Sequence, residues 1–146
     1  VETYLGMFTT ALRQKFDLIY VDACAGSGAS IPKSAKVGPA LDDRQIPLLT
    51  PTEEVAGTDE IIIGSALRAL GLPHPFTSYF FNDIKRKNVR ALQAEVEGRF
   101  SHLKDRVSIT QIDANEMLEE LCRNRNWRGT RGVVFLDPFG LQIKYE

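Results

Sequence analysis

The sequence predicts an α/β fold, a parallel sheet with helices packed on both of its faces. Three observations lead there. Short apolar runs rich in β-branched and aromatic residues alternate with stretches of helical periodicity, in the order helix, strand, loop, helix, strand, helix, strand, helix, strand. Each of the four strands ends on an aspartate: Asp22, Asp83, Asp113 and Asp137. The first strand then enters a glycine pair, Gly26-Ser27-Gly28, which permits a tight turn and lets a ligand lie against bare backbone.

Tyr4, Leu5, Phe8, Ala11 and Leu12 recur at helical spacing, so residues 2–15 are expected to form an amphipathic helix. Leu18 to Asp22 is the first strand, apolar enough to be buried on both faces. From Ser30 to about Thr58 the chain carries Pro32, Pro39, Pro47 and Pro51 and little periodicity. A βα connection usually takes about 2–6 residues, so this stretch reads as a long insertion. Its Ile46, Leu48 and Leu49 are expected to pack on something. Ser65 suits the start of a short helix and Gly71 its end. Thr77 to Phe81 is the second strand, ending on Asn82-Asp83, and Lys85 to Phe100 a helix with Val89, Leu92, Val96 and Phe100 on one face. Arg106 to Ile112 is the third strand, Glu116 to Cys122 a helix, and Gly132 to Leu136 the fourth strand. Such alternation implies right-handed crossovers.

At 146 residues the chain suits one domain, and 25% charged with 43% apolar residues is the composition expected of an ordinary soluble globule. A net charge of −1 supplies no global basic field for nucleic acid. No apolar run is long enough for a bilayer, and no signal-peptide pattern opens the chain, so no membrane partner is expected. The two cysteines, Cys24 and Cys122, lie far apart without neighbouring ligand residues, which points to a reducing, cytoplasmic setting and no metal.

In an open parallel sheet the carboxyl ends of the strands share one rim, where ligands bind. The acids there suit a nucleoside. One after the second strand can accept the ribose hydroxyls, one after the third can hold an adenine amino group, and the glycine turn admits the rest. Val21-Asp22-Ala23-Cys24-Ala25-Gly26-Ser27-Gly28 resembles the first motif of class I S-adenosylmethionine-dependent methyltransferases, in the form found among nucleic-acid methyltransferases. Asp83 resembles the second motif, Ile112-Asp113-Ala114 the third and Phe135-Leu136-Asp137-Pro138-Phe139 the fourth. More narrowly, the combination with Asp137-Pro138-Phe139-Gly140-Leu141-Gln142-Ile143 is similar to the three-Cys-motif partner protein family.

The resemblance implies a Rossmann-like sheet whose first four strands lie in the order three, two, one, four. It implies S-adenosyl-L-methionine as cofactor, held by Asp22, Gly26, Gly28, Asn82, Asp83, Asp113 and Ala114. It also implies a catalytic Asp137, Pro138 and Phe139 beside a nucleic-acid or protein methyl acceptor. In that order strand four would pair with a strand five, so the chain reads as the N-terminal part of a single methyltransferase-like domain spanning residues 1–146. Its strand-four edge is then expected to invite self-association.

Gly140 stands where amino-group methyltransferases carry an aromatic, and this keeps a non-catalytic, methyltransferase-like interaction domain as the alternative. A dinucleotide-dependent oxidoreductase fits less well, because Gly28 is followed by Ala29, Ser30 and a long loop instead of an immediate helix. Arg123, Arg125, Arg128 and Arg131 around Trp127 would suit phosphate contacts, but a solvated surface loop is the simpler expectation.

Overall fold

The computed structural model describes residues 1–30 and 62–137. Its centre is a four-stranded parallel sheet. Strand β1 (Asp17–Asp22) lies between β4 (Ser78–Asn82) and β6 (Thr130–Phe135), and β5 (Val107–Thr110) lies outside β4. In the numbering of the sequence reading this is the order three, two, one, four. The insertion and the segment that carries Pro138 and Phe139 fall outside the described residues, as do the expectations placed on Ile46, Leu48 and Leu49.

Register explains why β1 reads as a continuous apolar run. Val21 pairs with Phe80 on one side and Val134 on the other, and Leu18 to Asp22 are all buried. Side chains alternate across the sheet. Leu18 and Tyr20 join one core with Tyr79 and Phe81, while Ile19 and Val21 join another with Met117. Helices α1 (Glu2–Leu12), α2 (Ser65–Leu70) and α3 (Arg86–Arg99) cover the first face, through Leu5, Leu67, Leu70, Leu92 and Val96. Helix α4 (Ala114–Asn124) covers the second through Met117, Leu118 and Leu121. Helices on both faces and a parallel sheet are therefore observed as expected.

The first core is aromatic. Phe76 packs on Tyr20 at a centroid distance of 5.5 Å and edge-on to Tyr79 at 5.7 Å. All three are fully buried, and burying one such ring contributes about 1.5–3 kcal/mol. At the sheet's other side, β6 pairs only with β1 among the described residues, and Val134 remains 47% exposed.

Two features escaped the sequence. A 3-10 helix, Ser101–Arg106, intervenes between α3 and β5 and takes Arg106 from the strand expected from Arg106 to Ile112, which ends at Thr110. A second, two-stranded antiparallel ribbon pairs β2 (Ala29–Ser30) with β3 (Ile62–Ile63). The amide of Gly64 also donates to the carbonyl of Gly28 at 2.7 Å. The chain thus leaves the glycine turn and returns to the same point, so α2 starts beside that turn although the connection in sequence is long. No described helix is long and apolar enough to cross a membrane.

Candidate functional site at the carboxyl rim

The turn after β1 is built on two glycines in the left-handed region, Gly26 at φ 64° and Gly28 at φ 82°. The two differ in their surroundings. A Cβ on Gly26 would meet nothing within 4 Å, whereas one on Gly28 would stand 3.1 Å from both Leu67 Cγ and Leu92 Cδ1. Gly26→Ala is therefore expected to cost about 1–2 kcal/mol, the left-handed penalty alone. Gly28→Ala adds crowding to that strain and should cost about 1–3 kcal/mol more. Urea unfolding midpoints of the two variants check this ranking; equal losses would contradict it.

Beneath the turn lies Asp22. Its carboxyl is fully buried, accepts the Cys24 amide at 3.2 Å and accepts the hydroxyl of Ser65, the first residue of α2. Burial, opposed by those two hydrogen bonds and reinforced by the charges of Asp137 and Asp83, raises its pKa from 3.8 to about 6. Tyr20 lies below on the same face. Burial of its hydroxyl and then Asp22 raise its pKa, opposed by the neighbouring Ser65 hydroxyl.

Asp83, one residue beyond β4, reaches across to the glycine turn. Its Oδ2 accepts the Gly26 amide at 3.0 Å and the Asn88 side-chain amide at 2.9 Å, and its Oδ1 accepts the Lys85 amide at 2.7 Å. A carboxylate oxygen accepts two hydrogen bonds, so Oδ1 retains acceptor capacity. Asp113 caps α4, accepting the Asn115 amide at 2.8 Å and the Glu116 amide at 3.4 Å. Its first helical residue is Ala114. Asp137 lies two residues beyond β6, exposed, with its charge acting on Asp22.

These segments enclose a cavity of about 440 Å³ at the carboxyl ends of β1, β4 and β5, within the range of small-molecule sites. Gly26, Asn82, Asp83, Asp113 and Ala114 line it, so five of the seven residues expected to hold a cofactor share one wall system. The other two expected cofactor residues are outside that lining: Asp22 lies beneath the turn, and Gly28 packs against Leu67 and Leu92. Cys24 also lines the cavity, and its thiol pKa is raised by burial first and then by Asp22, Asp83, Asp137 and Asp113. Asp83 and Asp113 line the cavity together with Lys85, while Asp22 beneath the turn and the exposed Asp137 reach Cys24 through their charge alone.

Two apolar walls complete the cavity: Ile112, named in the sequence only as part of the third motif, and Ile84, which was not singled out. Ile84 is 62% exposed although it adjoins a buried strand, an arrangement that offers apolar surface to a flat ligand. Asn88 was missed as well, since nothing in a helical first turn marks an amide as the partner of an acid five residues earlier.

Three of the four clustered arginines are otherwise engaged. Arg123 pairs with Glu119 at 3.1 Å, Arg125 lies over the Phe80 ring at 4.7 Å, and Arg131 over Phe16 at 4.2 Å. Trp127 Nε1 donates to the Cys122 carbonyl at 3.1 Å and so ties down the end of α4. A smaller cavity of about 280 Å³ under α4, between Phe80, Met117, Leu121 and Arg125, is lined by none of the strand-end acids. No family model matches the chain, and no curated protein matches it either.

Proposed function

We propose that the rim cavity holds S-adenosyl-L-methionine and that the protein is a methyltransferase acting on a nucleic acid or a partner protein. The observation that carries this reading is the convergence of the glycine turn, Asp83 and Asp113 on one cavity with two apolar walls. Gly26 supplies bare backbone, Asp83 Oδ1 accepts a ribose hydroxyl, and Ile84 and Ile112 flank the base. The end of β5, with Asp113 and Ala114, faces the base's polar edge.

Charge bears on the choice among nucleoside ligands, with Lys85 the one cation among the described residues lining the cavity. Four carboxylates act on Cys24, and they favour a cationic group beside the turn. A dinucleotide would instead bring a pyrophosphate dianion to the same place. Its usual binding site, a helix that continues directly from the glycine turn in sequence, gives way to β2, and α2, which starts beside the turn, is only six residues long. These points favour the methyltransferase reading over the oxidoreductase.

When bound, S-adenosylmethionine supplies a methyl group on a positively charged sulfur. The protein's contribution is to position the acceptor, which in favourable cases lowers a barrier by about 7–11 kcal/mol. Asp137, two residues past the end of β6, would accept a hydrogen bond from the incoming nucleophile. Pro138 and Phe139 would stiffen and wall that side. With labelled methyl donor and pooled RNA, DNA and protein extracts, the wild type is expected to label one class and Asp137→Ala to label it at least about a hundredfold more slowly. Equal labelling by Asp137→Ala removes the catalytic assignment. Ligand binding without any labelling favours the interaction-domain alternative, which Gly140 in place of an aromatic keeps in view.

A further inference from the structure

Asn82, expected from the sequence to contact the cofactor, has its side chain committed elsewhere. It is 1% exposed, and its Nδ2 donates to the carbonyls of Ala23 at 3.2 Å and Ile112 at 3.0 Å. Its Oδ1 accepts the Thr110 hydroxyl at 2.8 Å and the Ile112 amide at 3.1 Å. An asparagine amide has two donor hydrogens and two acceptor positions, and all four are used. The orientation is fixed by chemistry, since two carbonyls face the NH2 and a peptide N–H faces the oxygen.

We propose that Asn82 is a positioning residue for the rim cavity, a buried amide that sets the spacing of its walls without hydrogen-bonding the ligand. The bonds join three chain segments. Ala23 follows β1, Ile112 follows β5, and Asn82 itself ends β4. Its backbone carbonyl also accepts the Ala25 amide at 2.9 Å, and the next residue, Asp83, takes the Gly26 amide. Two consecutive residues thus grip the glycine turn, while the side chain of the first also holds the segment leading into Asp113 and Ala114. No other side chain of similar size serves. Aspartate presents oxygen to two carbonyls, leucine leaves three peptide groups buried without partners, and glutamine is a methylene too long for a closed site.

The inference rests on the reading of the cavity as a nucleoside site, and its test separates the two. Asn82→Ala and the milder Thr110→Val would be compared with Val96→Ala, which removes buried volume from α3 far from the rim. Affinity for S-adenosylhomocysteine is measured by calorimetry well below each variant's melting temperature, and amide hydrogen exchange is followed at Ile112 and Gly26. Asn82→Ala should weaken binding by about tenfold or more and speed exchange at both amides, because it leaves buried groups unpaired. Thr110→Val should do the same to a smaller extent. Val96→Ala should lower the melting temperature and leave affinity and rim exchange as in the wild type. If the Asn82 and Thr110 variants lose no more affinity than Val96→Ala, the positioning role is overturned. If the wild type binds no S-adenosylhomocysteine, the ligand assignment falls and exchange decides. Wild-type exchange at Ile112 and Gly26 in both rim variants overturns the positioning role, and accelerated exchange sustains it.

Discussion

Asp83→Ala is expected to weaken S-adenosylmethionine binding by about 1–3 kcal/mol, the scale of hydrogen bonds to a charged acceptor. Two losses combine. The ligand loses the acceptor at Oδ1, and the Gly26 amide loses its partner at Oδ2, so the turn against which the ligand lies is less ordered. Asn88→Ala separates these contributions. It removes one neutral donor from Asp83 Oδ2 but keeps the carboxylate, so its effect on affinity should stay below about 1 kcal/mol. Isothermal calorimetry on both variants, each shown to be folded by its melting transition, measures the difference. Unchanged affinity in Asp83→Ala would place the ribose elsewhere.

Asp22→Asn should stabilise the protein at neutral pH, and the gain should vanish in acid. The folded-state pKa of about 6 lies above the ordinary 3.8, chiefly because the carboxyl is buried. Between those values the folded protein holds a proton that the unfolded chain releases. Stability from this group is therefore greatest near and below the unfolded pKa and falls as pH rises through the window to about 6. Above it both states are ionised, and keeping a buried carboxylate costs up to about 3 kcal/mol. An amide avoids that cost. It can still accept from the Cys24 amide and donate to Ser65. Unfolding free energies across the pH range should show the variant ahead of the wild type at about pH 8 and level with it near pH 4. A constant gap would mean that Asp22 is not the titrating group, and a loss at all pH values would mean that its charge is used in the fold.

Much of the fold was legible because its signals are local. Leu18 to Asp22 could be identified as a buried strand from composition alone, since a parallel strand between two helical layers needs no polar alternation. The order of the strands came from the resemblance rather than from the periodicity, which is silent about which strands are neighbours. The rim was legible for the same local reason. An acid just past each strand end is carried to one edge by any parallel sheet.

What the sequence could not resolve is which way each rim residue turns. Asn82 and Asp83 are adjacent, and a shift of one residue at a strand end exchanges the cavity for the sheet interior. Register places Asn82 inside, opposite Thr110, and frees Asp83 to reach the turn. Asp22 points towards α2 because it shares a face with Leu18 and Tyr20, and only the long return of the chain to Gly64 brings Ser65 to it. Ile84 carried no signal at all, since a single isoleucine after a strand is ordinary. The β2–β3 ribbon was hidden by its length, two residues a side.

The central claim is that the carboxyl-rim cavity is a site for S-adenosylmethionine. The most direct measurement is an amide chemical-shift titration of the protein with S-adenosylhomocysteine, run beside one with NAD. The account predicts that S-adenosylhomocysteine moves the resonances of Gly26, Asp83, Asp113 and Ala114, while the residues around Phe80 and Leu121 under α4 stay still and NAD moves neither set. Shifts confined to the α4 cavity, an equal response to NAD, or no shift at saturating ligand would contradict it.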